Sequence, residues 1–265
     1  MIKECNDSDK SLLLDYIGKD YGKCLYVYID LRKYPLDNHH FRAWCQYDDQ
    51  QTLVAVVTEY HKGIQVYSKS QDFNAEEIAS FLNAKNPPII LGMKETMDKL
   101  WPFMPERKQE LGTVGQLTSV RIDANPNAYA ADYNELEDIV NLLVQDENIG
   151  KPYGFESLYT QFRERMEDGF GRNYILRDNA THELICHAGT YAELPEIAVI
   201  GGVITSPNFR GQGQAKSVLA ALCQKLLEEG KDIFSFYYIP PAIKMHLGVG
   251  FESIGEWAKL IPSAN

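Results

Sequence analysis

The stretch Arg210-Gly211-Gln212-Gly213-Gln214-Ala215 lies between a strand-like run, Ile197 to Thr205, and a helix-like run, Lys216 to Glu229. Two glycines one residue apart let the backbone turn tightly at such a junction and leave no Cβ atom in the way of a ligand. The first N–H groups of a helix lack intrahelical partners, and the helix dipole favours an anion beside them. The stretch therefore predicts a cradle for a phosphate or pyrophosphate.

The loop differs from the two common nucleotide-binding patterns. It lacks both the Gly-x-x-x-x-Gly-Lys-Ser/Thr spacing of a Walker loop and the Gly-x-Gly-x-x-Gly spacing of a dinucleotide site. It fits Arg/Gln-x-x-Gly-x-Gly/Ala and resembles the acyl-CoA pyrophosphate loop of the GNAT superfamily of N-acetyltransferases. The resemblance covers about Val120 to Pro262, since Gly201-Gly202 lies inside the preceding strand and Gly250-Phe251 follows in the expected order.

The resemblance implies where acyl-CoA binds. In this family it lies in a gap between two splayed parallel strands, here Ile197 to Thr205 and Ile233 to Tyr238. The first strand is expected to pair with the pantetheine arm, and the loop N–H groups are expected to hold the pyrophosphate, with Arg210 and Lys216 adding positive charge. The implied acyl-CoA-binding residues are Val203, Ile204, Thr205, Arg210, Gly211, Gln212, Gly213, Gln214, Ala215 and Lys216.

The implied chemistry is direct transfer of an acetyl group from acetyl-CoA to a primary amine. The amine must lose a proton to attack, and a strand N–H near Ile204 is expected to stabilise the oxyanion. Glu193 and Glu196, just before the first strand of the pair, are the candidate bases, and the alternative for each is an ordinary loop carboxylate without a catalytic role. His187 on the preceding strand is a third option.

The candidate general acid is His246. The run Ala242 to Phe251 resembles the family pattern Ala-x-x-x-Tyr-x-x-x-Gly-Phe, in which the tyrosine often donates a proton to the leaving thiolate. Position 246 is a histidine here, which is either that donor or a residue that packs the helix. Ile239 also departs from the family, where many members have asparagine, whereas Pro240 matches.

Composition excludes several classes of protein. The chain has 265 residues, 45% of them hydrophobic and 24% charged, and a formal net charge of −11, which disfavours nucleic acid as a partner. No apolar run reaches the roughly 20 residues that span a bilayer. Five cysteines without a Cys-x-x-Cys pair indicate reduced thiols in the cytoplasm and no metal site. We read His39 and His40 as surface-loop residues.

Hydrophobic periodicity predicts two αβ domains, 1–118 and 119–265, with a mixed sheet in each. In the first, the predicted elements are a helix at 10–17, strands at 23–30, 41–47, 52–59 and 63–67, a helix capped by Asn74, a strand at 89–91, a helix at 94–101 and a strand at 108–117. In the second, they are helices at 130–144, 155–166, 216–229 and 242–247, and strands at 173–177, 183–191, 197–205, 233–238 and 252–260. A hairpin turn is predicted at Tyr60-His61-Lys62-Gly63.

The resemblance predicts an α/β fold of GNAT type for the second domain. The first is either a degenerate copy of the same plan, without the glycine loop, or an unrelated α+β domain. The leading function is an N-acetyltransferase. The alternatives are an inactive acyl-CoA-binding regulatory module and a protein in which the loop is only structural. The acceptor is a small-molecule or peptide amine that the sequence does not specify.

Overall fold

A computed structural model describes residues 1–36, 41–61 and 63–263. The chain divides into two compact units, Met1–Val114 with Ile254–Asn265, and Gly115–Ser253. Residues 254–263 thus belong to the first unit, whereas the predicted boundary assigns them to the second domain. Among the described residues, no helix is long and apolar enough to cross a membrane.

Each half of the chain runs through the same order of elements: strand, two helices, three strands, helix, strand, helix, strand. The first set is β1 Ile2–Glu4, α1 Lys10–Ile17, α2 Val27–Lys33, β2 Phe41–Tyr47, β3 Leu53–Tyr60, β4 Gly63–Tyr67, α3 Ala75–Lys85, β5 Ile89–Met93, α4 Lys94–Leu100 and β6 Arg107–Leu117. The second is β7 Tyr129–Ala130, α5 Leu136–Leu143, α6 Phe155–Glu167, β8 Asn173–Arg177, β9 Leu184–Glu193, β10 Ile197–Thr205, α7 Gln214–Glu228, β11 Asp232–Tyr237, α8 Pro240–Val249 and β12 Glu252–Pro262.

The strand pairings also repeat. In the first unit β1 to β4 are antiparallel neighbours, and β4 pairs in parallel with β5. In the second, β7 to β10 are antiparallel neighbours, and β10 pairs in parallel with β11. β12 supplies an antiparallel neighbour to β5, with Trp257 opposite Met93. The fold is therefore a mixed α/β fold built from two units of similar plan.

The second unit has a hydrophobic core on each face of its sheet. On one face, α7 and α8 pack over β10 and β11 in a cluster that includes Ile200, Leu219, Ile233, Val249 and Phe251. On the other face, α5 and α6 form a cluster with Leu136, Ile139, Phe162, Ile175 and Ile204. The parallel pair β10–β11 thus lies between two helical layers.

Most predicted elements are confirmed, but the strand predicted at 23–30 is wrong. That segment enters α2, in which Val27, Ile29 and Leu31 are buried together with the residues between them. A helix buried on several sides shows no 3.6-residue pattern, and an apolar run of this length does not distinguish strand from helix. The helix predicted at 130–144 begins later, after β7, at Leu136. Lys62 of the predicted hairpin turn, and His39 and His40, lie outside the described residues.

Candidate active site

The parallel strands β10 and β11 separate partway along their length. Their pairing runs from Ile197 opposite Asp232 to Ile200 opposite Ser235. β10 continues for five more residues, to Thr205, and β11 continues to Tyr237. The edge of β10 that faces β11 is therefore without a partner strand from residue 201 onward, within the described part of the chain.

A β-bulge marks the separation point. The register between β10 and β9 shifts between Gly201 and Ile204, and Gly202 has a φ of +64°. A Cβ atom on Gly201 would lie 2.5 Å from the Tyr191 ring, so only glycine fits at this position. The glycine pair thus serves a bulge that bends β10 and interrupts its ladder.

His187 on β9 hydrogen-bonds to the backbone of the bulge. It is fully buried, with Nδ1 2.7 Å from the Gly202 carbonyl oxygen and Nε2 2.8 Å from Asn173 Oδ1. The carbonyl only accepts hydrogen bonds, so Nδ1 carries the proton, and the Asn173 amide is assigned the turned orientation in which its NH2 group donates to Nε2. Burial lowers the pKa of His187 to about 4. We therefore assign His187 as a neutral residue that positions β10, and its nitrogens are already engaged by the chain.

The loop after β10 presents backbone N–H groups to solvent. Gly211 and Gly213 have φ values of +81° and +78°, and no atom lies within 4 Å of where their Cβ atoms would be. Among the described residues, no acceptor is recorded for the N–H groups of residues 211–215, whereas the N–H of Lys216 donates to Gly213 O at 3.1 Å. Arg210 Nε donates to Thr205 O at 3.2 Å, and the Lys216 side chain lies against Gly248 of α8.

The start of α7 is suited to an anion, whereas the corresponding helix of the first unit is not. Gly213, the N-cap of α7, provides no side-chain cap, and the first turn carries no acidic residue. The Asn74 side chain caps α3 by accepting the Glu77 N–H, and Glu76 adds a second negative charge to that turn. The cap and the acidic side chains offset the positive potential at the start of α3. At the start of α7 that potential remains available to an anion.

The first unit also lacks the strand separation. Its pair β4–β5 is matched from Gly63 opposite Ile89 to Val66 opposite Gly92, so in each strand only the last residue extends beyond this pairing. In the connection after β4, side chains hydrogen-bond to backbone groups of the same connection. Gln71, for example, donates from its backbone N–H to Ser68 Oγ at 3.1 Å and from Nε2 to Ser68 O at 2.7 Å.

His246 lies beside the separation point but is closed off from it. Its Nδ1 is 2.8 Å from Ala242 O, which only accepts, so Nδ1 carries the ring proton. Nε2 therefore accepts a hydrogen bond from the Ser235 hydroxyl at 2.9 Å. The ring stacks on Tyr237 with centroids 4.4 Å apart, and burial lowers its pKa to about 4. The neutral imidazole has one N–H, and that N–H is directed at a backbone carbonyl. This placement favours a positioning role over direct proton donation.

Glu193 lies at the other end of β10. It is opposite Ala198 in the β9–β10 register, so six strand residues, or roughly 20 Å at about 3.3 Å each, separate that level from Ile204. It is buried and accepts from Arg172 Nε and Thr190 Oγ1, both at 3.0 Å, with Lys231 Nζ 3.4 Å away. Glu196 precedes β10, where its carbonyl receives the Asp232 N–H. The structure therefore brings neither glutamate to the level of Ile204, where the oxyanion is expected.

Comparison with known families identifies the segment that contains this site. Residues 136–251, which include β10, the glycine loop, α7 and α8, match the model of the Acetyltransferase (GNAT) family. This segment is a GNAT-family domain. A comparison with curated proteins finds no match.

The GNAT domain and the first unit together have the fold of solved relatives. An acetyltransferase from the GNAT family of Colwellia psychrerythraea matches with a TM-score of 0.65 at 13% identity, over 99% of this chain and 100% of that one. A GCN5-related N-acetyltransferase from Sphaerobacter thermophilus gives 0.69 at 10% identity, over 100% and 97%. A tandem GNAT protein from the clavulanic acid biosynthesis pathway, solved without AcCoA, gives 0.62 at 13% identity, over 100% and 99%. The chain therefore has a tandem GNAT fold.

Three residues of the GNAT domain belong to the candidate site although no motif points to them. Tyr191 packs on both bulge glycines, and its ring carries the Arg165 guanidinium at 5.1 Å. Ser235 is the last residue of β11 that pairs with β10, and its hydroxyl donates to His246. Asn173 reaches His187 from β8. Only the position of Ser235, in the strand before the Gly-Phe run, offers a signal in the sequence.

The two buried histidines of the GNAT domain predict a pH dependence of stability. Their pKa values are about 4 in the folded state and about 6.5 in the unfolded chain, so the unfolded state binds more protons below pH 6.5. Stability falls as the pH drops from about 6.5 to 4. Between pH 7 and pH 5 each histidine removes about 2 kcal/mol.

A His246→Gln variant isolates this effect. Its free energy of unfolding, measured with denaturant at pH 7 and pH 5, should fall by about 2 kcal/mol less than that of the wild type over this interval. Equal losses in the two proteins would show that His246 is not held neutral in the fold.

Proposed function

We propose that this protein transfers an acetyl group from acetyl-CoA to a primary amine by direct attack. One observation carries the proposal: within a segment that matches the GNAT family, β10 leaves β11 and leads into an uncapped helix N-terminus. The separated strand offers backbone groups for an amide-containing arm, and the helix start offers N–H groups for a phosphate.

The pantetheine arm is proposed to lie along Val203, Ile204 and Thr205, with the pyrophosphate on the N–H groups of residues 211–215. Arg210 supports this arrangement because it lies over the end of β10 and is free to exchange its contact with Thr205 O for a phosphate. The Lys216 N–H, being bound to Gly213 O, is left out of the cradle, but its ammonium adds charge nearby.

The acetyl thioester supplies the electrophile, and the chain supplies orientation. An N–H of the separated part of β10 is placed to stabilise a developing oxyanion. The amine proton passes to solvent in this proposal, because Glu193 lies opposite Ala198 and Glu196 precedes β10, both at the end of the strand away from Ile204. His246 acts through Ser235, whose hydroxyl it holds at the point where the strands part.

The acceptor is proposed to enter on the α5–α6 side of the sheet. Successive residues of β11 and its extension face opposite sides, since Tyr237 stacks on His246 of α8 whereas Tyr238 Oη donates to Asn148 Oδ1 at 3.4 Å. The connection between α5 and α6 thus reaches the end of β11, and its Tyr153 is largely exposed. We propose a small-molecule or peptide amine as acceptor, in the cytoplasm.

Turnover is tested by release of free CoA from acetyl-CoA in the presence of a panel of primary amines. An active enzyme releases CoA with at least one amine, and the Gly213→Glu variant does not. Saturable binding of acetyl-CoA with no amine-dependent release across the panel would favour the regulatory module instead, an outcome consistent with the engaged nitrogens of His246.

Binding stoichiometry tests the difference between the two units. The paired strands β4–β5 and the capped, acidic start of α3 predict that the first unit holds no acyl-CoA. Titration calorimetry with CoA should therefore give a single site per chain. A second site of comparable affinity would contradict the role assigned to the strand separation.

A further inference from the structure

Two of the five cysteines are in contact with each other. All five are buried free thiols, and Cys5 Sγ lies 3.2 Å from Cys45 Sγ. The Cys24 and Cys186 thiols hydrogen-bond to oxygen atoms, among them the carbonyls of Tyr21 and Ile204. The Cys5–Cys45 pair, within the first unit, is outside the acetyl-CoA site and has no part in the proposed function.

The pairing of β1 with β2 brings the two sulfurs together. Lys3 is opposite Cys45, and the Cys5 N–H donates to Ala43 O, so the cysteines are diagonal neighbours across the two strands. Diagonal Cα atoms lie roughly 7–8 Å apart, slightly beyond the usual span of a disulfide. A small shift of β1 closes this gap. β1 has three residues and ends the strand order, and its ion pairs, Glu4 with Arg42 and the N-terminus with Glu77, are at least partly exposed, so they resist the shift only weakly.

We propose that Cys5 and Cys45 form a dithiol that a peroxide oxidises to an intrachain disulfide joining β1 to β2. The chemistry needs one oxidant, hydrogen peroxide or an organic peroxide, and no metal. The pair is a modification site of the first unit, independent of whether the GNAT domain acetylates an amine.

Cys45 is the sulfur that reacts first. The thiol of Cys5 donates a hydrogen bond to it and lowers the pKa of Cys45, with a further contribution from Tyr47. The Cys45 thiolate attacks hydrogen peroxide, which forms a sulfenic acid and releases hydroxide. The hydroxide combines with the proton that the Cys45 thiol had lost and becomes the first water. Cys5 then displaces the sulfenic oxygen as a second water. Two thiols lose two electrons, and one peroxide is reduced to two waters.

The disulfide changes the stability of the first unit. It closes a loop between positions 40 residues apart, which restricts the unfolded chain. The midpoint of thermal unfolding for the first unit should rise by about 5 °C or more on oxidation and return on reduction with dithiothreitol.

The test is treatment of the full chain with hydrogen peroxide, followed by denaturation and thiol counting. The count should fall from five to three, since two of the five thiols pair, with the loss of two hydrogen masses and a Cys5–Cys45 cross-linked peptide. Cys24→Ser is the matched control: it starts with one thiol fewer and should still lose two.

Two variants separate the steps. In Cys5→Ser the Cys45 sulfenic acid has no partner and should be trapped by dimedone, whereas Cys45→Ser should keep its four thiols under the same treatment. The proposal is overturned if the wild type keeps five thiols, if the cross-link joins other cysteines, or if Cys45→Ser still loses two.

Discussion

Replacing Gly213 with glutamate should weaken CoA binding by at least about 100-fold, because like charges brought together in a binding site cost several kcal/mol. Gly213 is the N-cap of α7, and no atom lies within 4 Å of the position of its missing Cβ. A carboxylate there occupies the proposed phosphate position. Affinity is measured by calorimetry, and Gly213→Gln, which adds the bulk without the charge, should give a smaller loss.

Gly230 provides a matched control at the other end of the same helix. Its φ of +76° nearly equals the +78° of Gly213, and no atom lies within 4 Å of its missing Cβ either. Gly230→Glu therefore imposes the same backbone strain and the same charge far from the loop. It should bind CoA like the wild type, and equal losses in both variants would point to strain instead of a phosphate site.

Replacing Glu193 with glutamine should destabilise the GNAT domain by about 3 kcal/mol, because it breaks a buried ion pair. The Glu193 carboxylate is 5% exposed, and Arg172 and Lys231 both lie within ion-pair distance. Arg172 keeps its second partner, Glu229, whose carboxylate it also contacts. Denaturant unfolding measures the loss, and turnover of a confirmed acceptor should stay within about tenfold of the wild type, since general bases contribute roughly 100-fold or more.

Glu196→Gln is the companion variant. Glu196 lies in the turn before β10, so its loss should lower neither turnover nor stability to the extent expected for Glu193. If either variant keeps its fold and yet turns over the acceptor about 100-fold or more slowly than the wild type, that glutamate returns to the role of base.

The sequence was sufficient to predict the strand, loop and helix that carry the proposed binding residues. Residues 210–216 carry a local signal. Glycines with positive φ and the start of a helix are both determined by residues that are close together in the sequence. β10 and β8 have the predicted bounds, because short apolar runs between turn signals specify them. The match of residues 136–251 to the family confirms the identification of this region.

The catalytic residues could not be predicted in the same way. Whether Glu193 is a base or an ion-pair partner depends on Arg172 and Lys231. Both are distant from Glu193 in the sequence, and only the fold brings them beside it. The His246 tautomer depends on Ser235, one strand away. α2 was misassigned for a related reason: burial on several sides is a property of the packed unit and leaves no period in the sequence.

Hydrogen exchange of the full chain, with and without CoA, shows directly which backbone N–H groups hold the ligand. On addition of CoA we expect slower exchange at the N–H groups of residues 203–205 and 211–215, and no change at residues 68–74, which form the connection from β4 to the capped start of α3. Unchanged exchange at 211–215 under saturating CoA, or protection centred on 68–74, would contradict this expectation.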